Sequence, residues 1–206
     1  MQAGYWIRSK PIYGGLQWQH KAQAHVIIAS GEGGRAVLRL LQQQLPPQAI
    51  KVLYLPEAQA DHSHALRHML QDVLGLDIAS ALSRHDTAAA LWLALDEVLT
   101  ASRIGTRIYA AGDEAFLWQV AAQAALHGVL NADIMREQAA SLARAVYCVH
   151  CKTISHHVST NIATCSGCQR QLLVRDHFSR RLGAYMGLMI DAEEPGNVPD
   201  ILEIYP

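Results

Sequence analysis

Cys148-Val-His-Cys151 and Cys165-Ser-Gly-Cys168 constrain this chain more than any other feature. They contain its only four cysteines, set as two CxxC pairs with thirteen residues between Cys151 and Cys165. A CxxC turn folds both sulfurs toward one point, and two such knuckles on adjacent hairpins complete a tetrahedron. Thiolates are soft donors, so an all-sulfur set selects zinc or iron over hard cations. A redox CxxC usually stands alone at the start of a helix, where the dipole lowers a thiol pKa. Disulfides need an oxidising compartment. A metal site formed by Cys148, Cys151, Cys165 and Cys168 is the favoured reading, with redox thiols or disulfides as the alternative.

Zinc and iron both remain open, and one detail leans toward zinc. A rubredoxin-like iron site commonly has glycine straight after each knuckle, which lets backbone N–H groups point at sulfur. Here those positions are Lys152 and Gln169. A structural zinc with no open coordination position, and hence no Lewis-acid chemistry, is expected. With four thiolates available, His150, His156 and His157 read as surface or loop residues. The metal is expected to hold in shape a ribbon that otherwise lacks a core.

Upstream, the pattern is different. The runs His25–Ser30, Lys51–Leu55 and Arg107–Ala111 are short and apolar, as in strands buried on both faces. Helical spacing separates them: Ala36, Val37, Leu38, Leu40, Leu41 and Leu45, stopped by Pro46 and Pro47; then Leu66, Met69, Leu70, Val73 and Leu74, ending at Gly75. Thr87 to about Thr100 reads as a helix capped by Asp86, and Phe116–Leu126 as another, ended by Gly128. Strand, glycine turn and helix recur, which argues for an open, mostly parallel α/β sheet. Half the residues are hydrophobic and 17% are charged, so disorder is excluded. The expected organisation is an N-terminal extension over 1–24, an α/β domain over 25–143 and a zinc ribbon with an acidic tail over 144–206. Gln171–Val174 reads as a strand, and Arg175 to Ile190 as strand and turn.

Gly31-Glu-Gly33-Gly34-Arg-Ala36 fits G-x-G-x-x-[GA] after a strand and before a helix, the setting in which glycines bring backbone amides to a pyrophosphate. Glu32 puts negative charge where the phosphate would sit, and no acidic residue cleanly closes the second strand. Two readings stand: a nucleotide or flavin site with Gly31, Gly33, Gly34 and Gly112, or a tight strand-to-helix turn without a ligand. The segment Tyr109-Ala-Ala-Gly112-Asp-Glu-Ala115 is similar to the nicotinamide-side segment of ferredoxin-reductase-like domains, where a glycine after the strand lets a helix begin over the cofactor.

The formal net charge of −1 makes the whole molecule no polyanion binder. A local excess does exist between 144 and 181, where Arg144, Lys152, Arg170, Arg175, Arg180 and Arg181 face one acid, Asp176. With aromatic residues sparse there, a solvated face or a docking surface for an acidic partner is favoured over nucleic acid. The opening residues lack the apolar core of a signal peptide, and the apolar run Ala88–Leu95 is too short to span a bilayer. A cytoplasmic chain with no membrane association is the simplest expectation.

Leu173-Val-Arg-Asp-His-Phe-Ser-Arg-Arg-Leu-Gly-Ala-Tyr-Met-Gly187, with Asp191-Ala-Glu and Pro195-Gly196 and the preceding knuckles, resembles the C-terminal domain of the DmmA-like subunits of dimethylamine monooxygenase. The α/β region looks like the N-terminal domain of the same subunits. The resemblance implies an accessory subunit of a haem-dependent, multi-subunit oxygenase that demethylates secondary amines, assembling or orienting haem and reductase chains. It carries over the four cysteines and, as partner-binding residues, Arg175, Asp176, His177, Arg180 and Arg181. The spacing does not suit a plant-type [2Fe–2S] cluster. An NAD(P)H- or flavin-binding reductase component and a nucleic-acid-associated zinc ribbon are the rival readings.

Overall fold

The computed structural model describes residues 9–139 and 141–206. These form two compact units, one of residues 13–139 and one of residues 9–12 with 141–206. The extension read over 1–24 falls in part on residues 1–8, which lie outside the described residues.

The first unit is α/β. Its sheet has the order β3-β2-β1-β4-β5, formed by β1 Ala24–Ser30, β2 Ile50–Leu55, β3 Leu82–Arg84, β4 Thr106–Gly112 and β5 Ile134–Gln138. Every neighbouring pair is parallel. Continuous apolar runs build such a sheet because both of its faces are covered. On one face Ile27, Ala29, Val52, Tyr54, Tyr109 and Ala111 pack with Ala36, Val37, Leu40 and Leu41 of α1 (Gly33–Leu41) and with Leu66 of α2 (Ser63–His68). On the other, Val26, Ile28, Leu53, Ile108 and Ala110 meet Leu91, Leu95 and Leu99 of α4 (Ala88–Thr100), and Leu117, Val120 and Ala124 of α5 (Glu114–Leu126). A short α3 (Ile78–Ala81) precedes β3. Leu16 and Trp18 are also buried against the α1 face, and the Trp18 indole N–H donates to the Leu40 carbonyl at 2.9 Å.

Local details depart from the periodicity. Helix α1 stops at Leu41, short of Leu45, and the Gln43 side-chain amide leaves the helix to donate to the Leu16 carbonyl. After α2 the helix widens to i→i+5 bonding over Met69–Val73, with Leu74 N–H on the Met69 carbonyl at 3.0 Å. Thr87, not Asp86, caps α4: its hydroxyl accepts from Ala90 N–H at 3.2 Å, while Asp86 is paired with Arg84. Strands β3 and β5 carry too few buried residues to leave a pattern, being the edges of the sheet.

The second unit is a five-stranded sheet of order β7-β6-β10-β9-β8, built from β6 Arg144–Cys148, β7 Ile154–Val158, β8 Ile162–Thr164, β9 Gln171–Ser179 and β10 Ala184–Met189. Pairing is antiparallel except between β10 and β6. The ribbon is not coreless: Val146, Val158, Ile162, Leu172, Val174, Phe178 and Tyr185 are buried. The long β9–β10 hairpin supplies four of these, Leu172, Val174, Phe178 and Tyr185. The tail is fastened as well, through a Thr160–Glu203 bridge and the N–H groups of Ile204 and Tyr205, which both donate to the Ser159 carbonyl at 2.9 and 2.7 Å. Among the described residues, no helix is long and apolar enough to cross a membrane.

Candidate metal centre and the glycine turns

The two knuckles are built alike. Lys152 N–H donates to the Cys148 carbonyl at 2.9 Å, and Gln169 N–H to the Cys165 carbonyl at 3.0 Å. Cys148 N–H returns to the Thr153 carbonyl at 2.9 Å, and Cys165 N–H to the Arg170 carbonyl at 2.8 Å. Closing each loop requires a left-handed residue directly after the second cysteine, and Lys152 (φ 70°) and Gln169 (φ 61°) supply it without being glycine. Glycine, common at these positions in iron sites, is absent from both, yet the backbone takes the glycine-type turn all the same.

The four sulfurs all lie within 4.8 Å of one another. Cys148 and Cys168 are 3.8 Å apart, Cys151 and Cys165 3.5 Å. A tetrahedron of ~2.3 Å metal–sulfur bonds has edges of about 3.8 Å, so the donor set fits a four-coordinate thiolate-preferring ion. The cluster can therefore bind a metal. His150, His156 and His157 do not belong to it; His150 Nδ1 lies 3.1 Å from the Arg170 guanidinium. Gly167 permits the knuckles to approach, since a Cβ there would strike the Thr153 side chain and come 3.2 Å from the Cys151 sulfur.

The sulfurs are not equivalent. Cys148 and Cys165 are fully buried, whereas Cys151 and Cys168 are partly exposed. The side-chain and backbone donors of Thr153 bring the Cys151 thiol down to about 6, and the backbone and side chain of Arg170 lower Cys168. Burial pushes Cys165 up to about 11, against N–H groups of Cys168 and Gly167 that act the other way. The ribbon thus holds Cys151 ready as a thiolate, eases deprotonation of Cys168, and keeps the Cys165 proton until a metal displaces it.

Arg175, Asp176 and His177 are all exposed, because a β-bulge sets these three residues of β9 opposite the single Met186 of β10. Arg180 and Arg181 are exposed in the turn that follows. Arg144, counted with the basic residues, is not on that surface. It is 2% exposed, lies 3.9 Å from the Tyr185 ring centre and 3.6 Å from that of Tyr205, and pairs with Asp176 at 2.7 Å. A buried guanidinium stacked between two rings gives no signal in sequence, because its partners come from β10 and the tail.

The glycine turns come together at the carboxyl ends of β1 and β4, where the strand order reverses direction. A Cβ on Gly33 would strike the Ala111 carbonyl, and one on Gly112 would meet Ser30 Oγ and the Phe116 ring. Gly31, Gly33, Gly34 and Gly112 are all buried. Glu32 pairs with Arg35 at 2.8 Å.

Known proteins resemble this chain in two stretches. Residues 5–134 match the dimethylamine monooxygenase subunit DmmA-like N-terminal domain, and residues 145–188 match the C-terminal domain of the same subunits. A 115-residue stretch is 41% identical to the haem-dependent oxidative N-demethylase delta subunit of Ectopseudomonas mendocina (strain ymp), spanning 56% of this chain and 66% of that one. Among solved structures, phthalate dioxygenase reductase matches over 67% of this chain and 44% of its own, at 16% identity and a TM-score of 0.41. The FAD/NAD-binding domain of a Vibrio cholerae nitric oxide dioxygenase matches over 58% and 52%, at 20% identity and a TM-score of 0.38. With both of its halves matched in order, the chain belongs to the dimethylamine monooxygenase subunit DmmA-like family.

Proposed function

We propose that this chain is an accessory subunit of a haem-dependent, multi-subunit monooxygenase that removes methyl groups from dimethylamine, acting in the cytoplasm. The observation that carries the reading is the match of both domains to one subunit family, supported by a relative named as a subunit of a haem-dependent N-demethylase. The chain's own task is assembly: the four-cysteine ribbon stiffens one unit, and that unit presents Arg175, Asp176, His177, Arg180 and Arg181 to haem- or reductase-bearing partner chains. Asp176 already holds Arg144, so it contributes to that surface while fixing the tail beneath it.

The ion is proposed to be a structural zinc, held by Cys148, Cys151, Cys165 and Cys168 with no open position for substrate. Iron is the second reading. The left-handed Lys152 and Gln169 favour keeping it, since they give the knuckles the form a glycine would give. Affinity purification of the full chain from its native host, with metal and cofactor analysis of what co-elutes, tests both. Co-elution of a haem protein and a reductase with one metal per chain is expected. Recovery of the chain alone would sink the subunit reading. Visible thiolate-to-metal absorption would replace zinc by iron.

A further inference from the structure

We infer that the crevice at the carboxyl ends of β1 and β4 is plugged by the chain itself, so that this α/β unit takes neither a dinucleotide nor a flavin there. Ligands of open α/β sheets sit where the strand order reverses, with a pyrophosphate over the glycine turn. In this protein that place is taken. The Glu57 carboxyl lies over Gly31, so close that a Cβ on the glycine would be 2.5 Å from the carboxyl carbon. The side chain of His62 covers Gly34 in the same way, with its Cβ 2.7 Å from the added atom.

The covering segment is fastened rather than draped. Glu57 and Ala60 exchange backbone hydrogen bonds at 3.2 and 3.0 Å. The buried Tyr54 hydroxyl lies 2.9 Å from the Gly31 carbonyl and 3.0 Å from that of Ala60, and accepts from His62 N–H at 3.0 Å. One phenol thus ties the 60–62 end of the segment to the turn it covers. Three amides of the turn are engaged as well: Gly31 N–H donates to the Leu55 carbonyl, Gly34 N–H to the Gly31 carbonyl, and Arg35 N–H to the Glu32 carbonyl. Charge acts in the same sense, because the Glu32 and Glu57 carboxylates stand where two phosphate charges would have to enter, and Arg35 is already paired with Glu32.

The second helix start at the crevice is closed too. Glu114, in the first turn of α5, is 3% exposed and accepts from the Tyr13 hydroxyl at 2.7 Å, while the Trp118 indole N–H donates to the same hydroxyl at 2.8 Å. A glycine fingerprint that elsewhere opens a site here permits close packing of β1, α1 and β4 instead. The fold serves as scaffold, and nucleotide chemistry in any complex falls to another chain.

The test is titration of the full chain with NADPH, FAD and ADP-ribose by calorimetry, alongside hydrogen exchange at the Gly34 and His62 amides. No saturable binding is expected up to about 1 mM, the weak end of ordinary affinities. Both amides are expected to be protected without ligand and unchanged by ADP-ribose. Saturable binding at lower concentration, or protection that appears only with ligand, overturns the proposal. So does fast exchange at His62 in the free chain, because the plug would then not be in place. None of these outcomes touches the subunit reading, which stands or falls on co-purification.

Discussion

Lys152 and Gln169 occupy matching positions, one residue past the second cysteine of each knuckle, and both hold a left-handed backbone, with φ of 70° and 61°. Each side chain reaches back to a carbonyl of its own knuckle, Lys152 Nζ to Val149 at 2.6 Å and Gln169 Nε2 to Ser166 at 3.5 Å, while the loop that must close around the sulfurs imposes the backbone conformation. For an L-residue the left-handed region costs roughly 1–2 kcal/mol, offset in glycine by about 0.5–1 kcal/mol of extra chain entropy. Lys152→Gly and Gln169→Gly should each stabilise the metal-loaded ribbon by about 0.5 kcal/mol, read as a rise in the denaturation midpoint. A drop of similar size in both variants would mean that the knuckles do not have this geometry.

The buried sulfurs should matter more than the exposed ones. Cys165→Ser is expected to abolish stoichiometric metal and to melt the knuckles, because a structural ion contributes folding free energy outright. Cys168→Ser leaves a hydroxyl near solvent and should retain weakened binding. Elemental analysis of freshly reduced samples, with circular dichroism, checks both. Residual sheet signal from β6, β9 and β10 is expected in Cys165→Ser, since those strands bury side chains of their own.

Metal uptake near pH 7 should release fewer than four protons. Cys151 sits at about 6, so much of its thiolate exists beforehand. Cys165, pushed up to about 11, gives its proton only on binding. Calorimetry in buffers of different ionisation enthalpy counts them, and a release of four would contradict the lowered Cys151.

Arg144 should be the residue of the ribbon least tolerant of replacement by lysine. Its planar guanidinium stacks on both tyrosine rings while reaching Asp176, which an ammonium cannot do. Arg144→Lys and Arg144→Ala are both expected to cost about 2 kcal/mol, from the desolvated cation–π contacts, and to loosen the tail. The contribution of the ion pair is small because Asp176 is two-thirds exposed. Urea denaturation and proteolysis of the last residues measure the two effects; a lysine variant as stable as the native chain would refute the stacking role.

Acid should weaken the α/β unit through His25. Burial lowers its pKa below the usual 6.5, with a Gln48 hydrogen bond acting upward and His20 acting downward. The ring is 1% exposed, with Nδ1 2.9 Å from the Tyr109 hydroxyl. Below pH 6.5 the unfolded chain binds a proton that the folded chain refuses, so stability falls with pH until the folded group titrates too. Urea midpoints compared at neutral and mildly acid pH, in the native chain and His25→Gln, check this. An equal acid loss in both would assign it elsewhere.

Much of this architecture is legible in the sequence because periodicity and punctuation are local. The strands at His25, Lys51 and Arg107 announce themselves as apolar runs, being buried on both faces. Cys148 to Cys168 announce their cluster because knuckle spacing is a short-range property. Strands β3 and β5 escape notice as edges with few buried residues, and the Asp86 cap yields to Thr87 because Arg84 draws the aspartate away.

A parallel α/β sheet and a four-thiolate cluster are written into residue type and spacing over a few turns of chain. Tertiary structure alone decided that Arg144 leaves the basic surface for two aromatic rings, and that Glu57 and His62 fill the space over the glycine turn. Both outcomes join residues distant along the chain or folded back by a loop, and no local pattern records which side chain reaches a given buried space first.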